Sequence, residues 1–401
     1  MPPVDDPARA IFTARKLGSL QLRNRTIKAA TFEGMSPGGV ASPALVAHHA
    51  TLAQGGVGMT TVAYCAVSED GRTFGNQLTL RAESHPALQE LTAAVHDAGA
   101  AASLQLGHCG FFTKLGPASG PPRSASRSFN AYGALRGLAF SRGMRHDEIR
   151  RVIDDFVNAA RTAVELGFDA VELHLGHGYL LSQFLSPATN RRTDEFGGSL
   201  QGRLKLPIQV VQQVRDALPS STAVLAKTNL DDGFRGGLEI GDAVQIAQAL
   251  QSAGADGLVL SGGFTSRSAF YLLRGGRPLQ GMIQVEPSAI QRFGMRLLGP
   301  LLVKQWPFEE LFFLPLARQV RQAVTLPLVL LGGAVSQANL DQAMDEGFDF
   351  VALGRALIAD PDLVNRLERG EVERSRCNHC NECIVEMDRG GVRCVLDDEA
   401  G

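Results

Sequence analysis

Apolar residues in this chain fall into short continuous runs, separated by longer stretches in which apolar positions recur with helical spacing. The runs at 24–30, 58–62, 101–106, 170–174, 223–227, 257–260, 328–331 and 350–353 predict strands. The periodic stretches at 42–55, 85–98, 147–166, 203–218, 240–253, 315–323, 337–346 and 361–368 predict helices, the first with Ser42 as N-cap and Pro43 in its first turn. Four junctions share one signature, AGAAASLQL, LGFDAVEL, AGADGLVL and EGFDFVAL, in which a helix-ending glycine precedes an apolar run opened by a small or acidic residue. Glycine accepts the left-handed turn that closes a helix, and an unbroken apolar run suits a strand covered on both faces.

Strict alternation of eight strands with eight helices predicts an α/β fold of the (β/α)8 TIM-barrel type. An open doubly wound sheet is the competing arrangement, but no GxGxxG lies between the first strand and the first helix. On this reading residues 1–370 are the barrel, 264–314 an insertion after the sixth strand, and 371–401 a short cysteine-rich extension. The insertion holds the single tryptophan, Trp306, and is either a surface excursion that buries its own aromatics or a lid over the strand ends. The connection 107–144 is too long for a simple turn and is expected to carry function.

Barrel enzymes keep their reactive groups just past the carboxyl ends of the strands. The densest chemistry there is the stretch 171–203, where His174, His177 and Tyr179 follow a strand end broken by Gly176 and Gly178. Gly332, Gly333, Gly354 and Arg355 follow the last two strands, which suits a phosphate held by backbone N–H groups, although glycine after a strand is equally an ordinary turn. Gln105 offers an amide edge to a heterocycle and Lys227 a cation to its electron-rich side, a pairing that suits a flavin. Taken singly, Gln105 reads as packing polarity and Lys227 as an ion pair with Glu172 or Asp231.

Composition narrows the partners. A formal charge of -2 gives no electrostatic reason to expect nucleic acid or a membrane surface, leaving a small molecule as the default ligand. The first residues lack a basic segment followed by an apolar run, and the apolar stretch 297–316 is broken by Lys304, Glu309 and Glu310, so a cytoplasmic protein is expected. Four of the six cysteines, Cys377, Cys380, Cys383 and Cys394, crowd into the last 25 residues at metal-ligand spacing. Zinc, an iron–sulfur cluster or four unligated thiols all fit that pattern, and His379 could join as a ligand. A zinc site at His174 and His177 lacks a third ligand at suitable spacing.

The segments HLGHGYLLSQFLSPATNRRTDEFGGS, LQLGHCG and FVALGRALIADPDL together resemble the Old Yellow Enzyme family of NADH:flavin oxidoreductases, in particular its 2,4-dienoyl-CoA reductase-like branch. The resemblance covers most of the chain from Asn24 onward. It implies an FMN-dependent oxidoreductase using NAD(P)H in a ping-pong sequence to reduce the activated C=C bond of an α,β-unsaturated carbonyl compound. It implies that His174 and His177 bond the activating carbonyl and that Tyr179 donates the proton. Thr31, Tyr64, Gln105 and Lys227 fall where the family contacts the flavin, and Gly332, Gly333, Gly354 and Arg355 at its phosphate. Two positions depart from the usual pattern, Phe32 under the flavin edge and the bulky Tyr64 at the second strand's end. Larger relatives carry an iron–sulfur cluster on a similar cysteine run. Other expectations from the residues are a lyase with Lys227 as its Schiff base, and a flavin- or metal-binding electron-transfer protein.

Overall fold

The helix-closing glycines do what the repeated junctions demand. Gly99, Gly167, Gly254 and Gly347 all have φ between 76 and 91°. At three of these junctions the aspartate two residues on reaches back to the strand before. Asp169, Asp256 and Asp349 accept the backbone N–H of Ala102, Val224 and Leu328 at 2.8, 2.8 and 3.1 Å. Each such bond ties the foot of one strand to its neighbour, and Arg215 and Arg321 neutralise Asp256 and Asp349 from the helical layer.

The computed structural model describes residues 7–115 and 120–398. Its strands are β1 Thr26–Lys28, β2 Met59–Ala66, β3 Ala101–Gly107, β4 Ala170–Leu175, β5 Ala223–Asn229, β6 Gly257–Ser261, β7 Leu328–Leu331 and β8 Phe350–Leu353. They form a closed parallel barrel in sequence order, sealed where Val351 of β8 pairs with Thr26 of β1. Around it lie α1 Pro43–Gln54, α2 His85–Asp97, α3 His146–Glu165, α4 Leu200–Ala217, α5 Ile240–Ser252, α6 Leu314–Ala323, α7 Gln337–Asp345 and α8 Leu363–Glu368. The Ser42 hydroxyl caps α1 by accepting from Leu45 N, as the sequence predicts. An antiparallel hairpin, Arg15–Leu17 with Leu20–Leu22, buries Leu17 against Gly257 at the barrel foot.

Three elements escape the simple repeat. The turn Leu180–Leu185 and the helix Arg355–Ala359 were not separated in the periodicity, because both are too short to show a period. The insertion is itself helical, with Thr265–Leu272, Leu279–Val285 and Ala289–Leu302. Leu272, Leu273, Phe308 and Phe312 face the cleft at the strand ends, whereas Ile290, Phe293, Leu297 and Leu301 of the last helix are exposed. The extension returns over the mouth: Val392 N donates to Glu33 O at 2.7 Å and Gly276 N to His379 O at 2.8 Å.

Below that mouth the barrel interior is charged. The Lys28 ammonium lies 2.5 Å from Glu33 and 3.1 Å from Thr61 O, and Glu33 also accepts Ala63 N at 3.2 Å. Burial by itself would raise the Glu33 carboxyl, but Lys28 and then His49 outweigh it and hold it down at about 2. Removing one partner of a buried pair leaves an uncompensated charge and costs about 3–5 kcal/mol. Lys28→Met is therefore expected to lower the urea midpoint steeply, and Lys28→Met with Glu33→Gln to recover most of the loss. A double variant no more stable than the single one would contradict this.

Candidate active site

β4 delivers His174 to the rim, after which the chain must turn inside the barrel mouth. His177 takes the left-handed conformation, φ 58°, held by Asn229 Oδ1 accepting its N–H at 3.0 Å. A side chain on Gly176 would meet that same oxygen at 2.7 Å, so this turn needs glycine. The His177 ring then reaches Ser261 at the end of β6, Nε2 to Oγ 2.7 Å.

His174 and His177 stand edge to face with ring centroids 4.9 Å apart, and the Tyr179 ring lies 4.5 Å from His174. Tyr64, from the end of β2, packs 5.0 Å from Tyr179. Burial dominates the ionisation of all four. It lowers His174 well below the usual histidine range and His177 to about 3, the neighbouring cations adding to the effect. It raises both phenols far above 10. Two neutral imidazoles thus adjoin a phenol that keeps its proton.

One carboxylate oxygen organises the floor. Glu172 Oε1 accepts from Lys227 Nζ at 2.8 Å and from Gln105 Nε2 at 2.6 Å. Lys227 is ion-paired with Glu172, and it lines a cleft with Thr31, His177 and Ser261. That cleft, with a cavity volume of about 100 Å³, runs to Gly332, Gly333, Gly354 and Arg355. Gly332 and Gly333 have φ of 109 and 85°, and a Cβ on either would collide with Phe312 at 2.9 Å. Arg355 is already held, donating to Arg274 O at 2.8 Å and Asn381 Oδ1 at 2.5 Å.

The cleft brings together Thr31, His177, Lys227, the three glycines and Arg355. His174, Tyr179, Tyr64 and Gln105 stand next to it in the wall and floor. Sequence reasoning missed the Lys28–Glu33 pair and the walls given by Phe308 and His379, whose rings stack at 3.4 Å. A lysine inside an otherwise apolar strand was the available signal for the first, since such a charge must find a partner. In the extension, Cys377, Cys380, Cys383 and Cys394 line one small pocket, about 20 Å³ in volume, with Arg355. Among the described residues no three His, Cys, Asp or Glu converge as ligands of a single ion, so the zinc arrangement is not formed.

With this geometry in place, the profile of the NADH:flavin oxidoreductase / NADH oxidase family matches residues 10–262. The chain belongs to this family. The flavin oxidoreductase is 43% identical over 393 residues to the 4,4'-dithiodibutanoate disulfide reductase of Rhodococcus erythropolis, a match covering 98% of the chain and 96% of the relative. Its fold is that of the Old Yellow Enzyme homologue from Zymomonas mobilis, with a TM-score of 0.71 and 22% identity over 92% of the chain and 95% of that structure. Histamine dehydrogenase from Rhizobium sp. 4-9 matches 97% of the chain with a TM-score of 0.80 and 24% identity, and the chain spans 52% of its length. Family membership implies FMN as cofactor and NAD(P)H as reductant. No helix among the described residues is long and apolar enough to cross a membrane.

The buried histidines set an acid limit on the fold. His108 is lowered to about 4 and His177 to about 3 by burial, whereas an unfolded histidine titrates near 6.5. Below about pH 6.5 the unfolded chain binds more protons than the folded one, so stability falls as pH drops. Urea midpoints of the holoenzyme are expected to decline steadily from pH 7.5 to pH 5. A flat profile over that range would show these imidazoles charged in the folded state.

Proposed function

We propose that this flavin oxidoreductase uses NAD(P)H to reduce the activated C=C bond of an α,β-unsaturated carbonyl compound. The observation that carries this reading is the pair of neutral imidazoles, His174 and His177, set against the protonated phenol of Tyr179.

The residues fit the cofactor that the family implies. The backbone at Gly332, Gly333 and Gly354, with Arg355 beside it, suits a phosphate, while Lys227 at the other end suits the electron-rich side of a flat ring system, with Gln105 behind it and Thr31 and Tyr64 near its edge. Bound FMN supplies a hydride acceptor and donor, filled by NAD(P)H and emptied into the second substrate in turn. The imidazole N–H groups of His174 and His177 hold the carbonyl oxygen and stabilise the negative charge that gathers there as hydride reaches the β carbon. Tyr179 gives its phenolic proton to the α carbon. The aromatic walls around it, Tyr64, Phe112 and Phe264, keep water from competing for the proton site.

A second reading is favoured by the 43% identical relative, whose named substrate is a small organic disulfide. In that reaction hydride attacks one sulfur, the S–S bond breaks, and the other sulfur leaves as a thiolate with the bonding electrons. An alkyl thiolate is a weak enough base to leave as the anion and take its proton from water afterwards, so Tyr179 has no obligatory part in its departure. A Schiff-base lyase is disfavoured by the Lys227 ammonium's close pairing with Glu172, because a reactive amine must lose its proton. For the extension, Cys377, Cys380, Cys383 and Cys394 around one pocket are the thiols that would hold an iron–sulfur cluster, which would supply one-electron exchange.

Tyr179→Phe is expected to spare flavin reduction by NAD(P)H and to slow reduction of cyclohexenone about 100-fold or more. Reduction of a dialkyl disulfide by the same variant should change only a few-fold. Equal loss of both half-reactions would remove Tyr179 as the acid. Protein purified without oxygen is expected to carry iron and acid-labile sulfide that Cys380→Ser removes; stoichiometric zinc in their place would contradict the cluster.

A further inference from the structure

Tyr179 is packed in an aromatic cluster, and two cations lie over rings at its edges. On one side Tyr179 packs against Phe112, ring centroids 6.0 Å apart, and Phe112 against Tyr132 and Phe74 at 4.5 and 6.4 Å. The Lys114 ammonium lies over those last two rings, 5.6 Å from Tyr132 and 5.1 Å from Phe74. On the other side the Phe264 ring closes over Gly178, where an added Cβ would approach it to 2.4 Å. Phe264 packs on Phe234 at 5.6 Å, and the Arg267 guanidinium lies 4.9 Å over Phe234. Each cation is thus separated from the reactive residues by the same kind of aromatic layer, and the two approach from different elements, the 107–144 connection and the insertion.

Neither cation has a carboxylate within ion-pair distance among the described residues, and the charge of nearby Arg191 adds to the positive field at Arg267. The stretch 116–119 next to Lys114 reads GPAS and carries no acid. Asp232, the acid that Arg267 senses, is already committed: its two oxygens accept Asn229 Nδ2 and Leu238 N, each at 2.8 Å. A ring face steadies a cation without using its N–H donors. Those donors stay available for an anion, and a carboxylate is the anion whose size and hydrogen bonding suit either head.

We propose that Lys114 and Arg267 recognise carboxylates, so that the preferred acceptor is a small linear molecule with an anionic group on each side of its reducible centre. This rests on the acceptor site proposed above but not on which bond is reduced there. The test uses oxidised holoenzyme and a ligand that cannot be reduced. Suberate and its dimethyl ester are titrated by flavin difference spectra in wild type, Lys114→Met, Arg267→Met and Lys114→Arg, at low and high salt. Suberate is expected to bind about 10-fold or more tightly than the ester and to weaken as salt rises. Each Met variant should lose about 10-fold for suberate and little for the ester, with Lys114→Arg restoring most of the affinity. Equal affinity for acid and ester, absence of suberate binding, or equal losses for both ligands in the variants would overturn the proposal. If the acid is preferred while neither alkenes nor disulfides are turned over, the anchors stand and the proposed activity falls.

Discussion

Buried charge in the upper barrel is the constraint from which the mouth is built. A charge in that interior is tolerable only when paired and hydrogen-bonded, so Glu172 must hold Lys227 and Gln105, and Glu33 must hold Lys28 and the N–H of Ala63. Glu172 thereby ties the ends of β3, β4 and β5 together, and Glu33 ties β1 to β2. The two ammonium groups oppose each other, and burial together with the charge on Lys227 lowers Lys28 even as Glu33 and Glu172 raise it. The reactive side chains stand immediately beyond this layer: Tyr64 follows Ala63, and His174 lies two residues after Glu172, on the same face of its strand. Their positions follow from the ion pairs below them.

Much of this was legible beforehand because it depends on local rules. A glycine with positive φ ends each of four helices whatever the fold, and the apolar run after it declares a doubly covered strand, so the count of units pointed to the closed barrel. The cluster His174, His177 and Tyr179 was equally visible, since three polar groups within six residues after a buried strand have no place in a core. What could not be read were pairings distant in sequence. Lys227 finds Glu172 rather than Asp231, and Phe308 of the insertion meets His379 of the extension. Arg355 illustrates the same limit: its place beside the glycines was foreseen, its bond to Asn381 was not. The single-ion arrangement of the cysteines fails for a related reason, because CxxC spacing fixes how near thiols can come but not that they converge.

The insertion and the extension act as one wall. Asn381 donates to Leu273 O and Gly276 O, and Gly276 N donates back to His379 O, so the two segments are stitched through backbone groups rather than apolar contact alone. Since Arg355 lines both the cleft and the cysteine pocket, a change in the charge of Cys377, Cys380 or Cys383 acts on the cation beside Gly354. The cysteine-rich extension thus lines the same cleft as the barrel, through His379, beside Leu272, Leu273, Phe308 and Phe312 of the insertion.

The ionisation of Tyr179 bears on which acceptor the site suits. A phenol raised far above 10 by burial gives up its proton only to a base stronger than its own phenolate. An alkyl thiolate, whose thiol ionises near 8.5, is a weaker base than that and would draw no proton from Tyr179. The carbon next to a carbonyl, once hydride has added to the far end of the double bond, is strongly basic and does. In the proposed reaction the same burial that makes Tyr179 a poor general acid would make it a selective one: it would stay protonated through cofactor reduction and give up its proton only to the carbon left basic by hydride delivery.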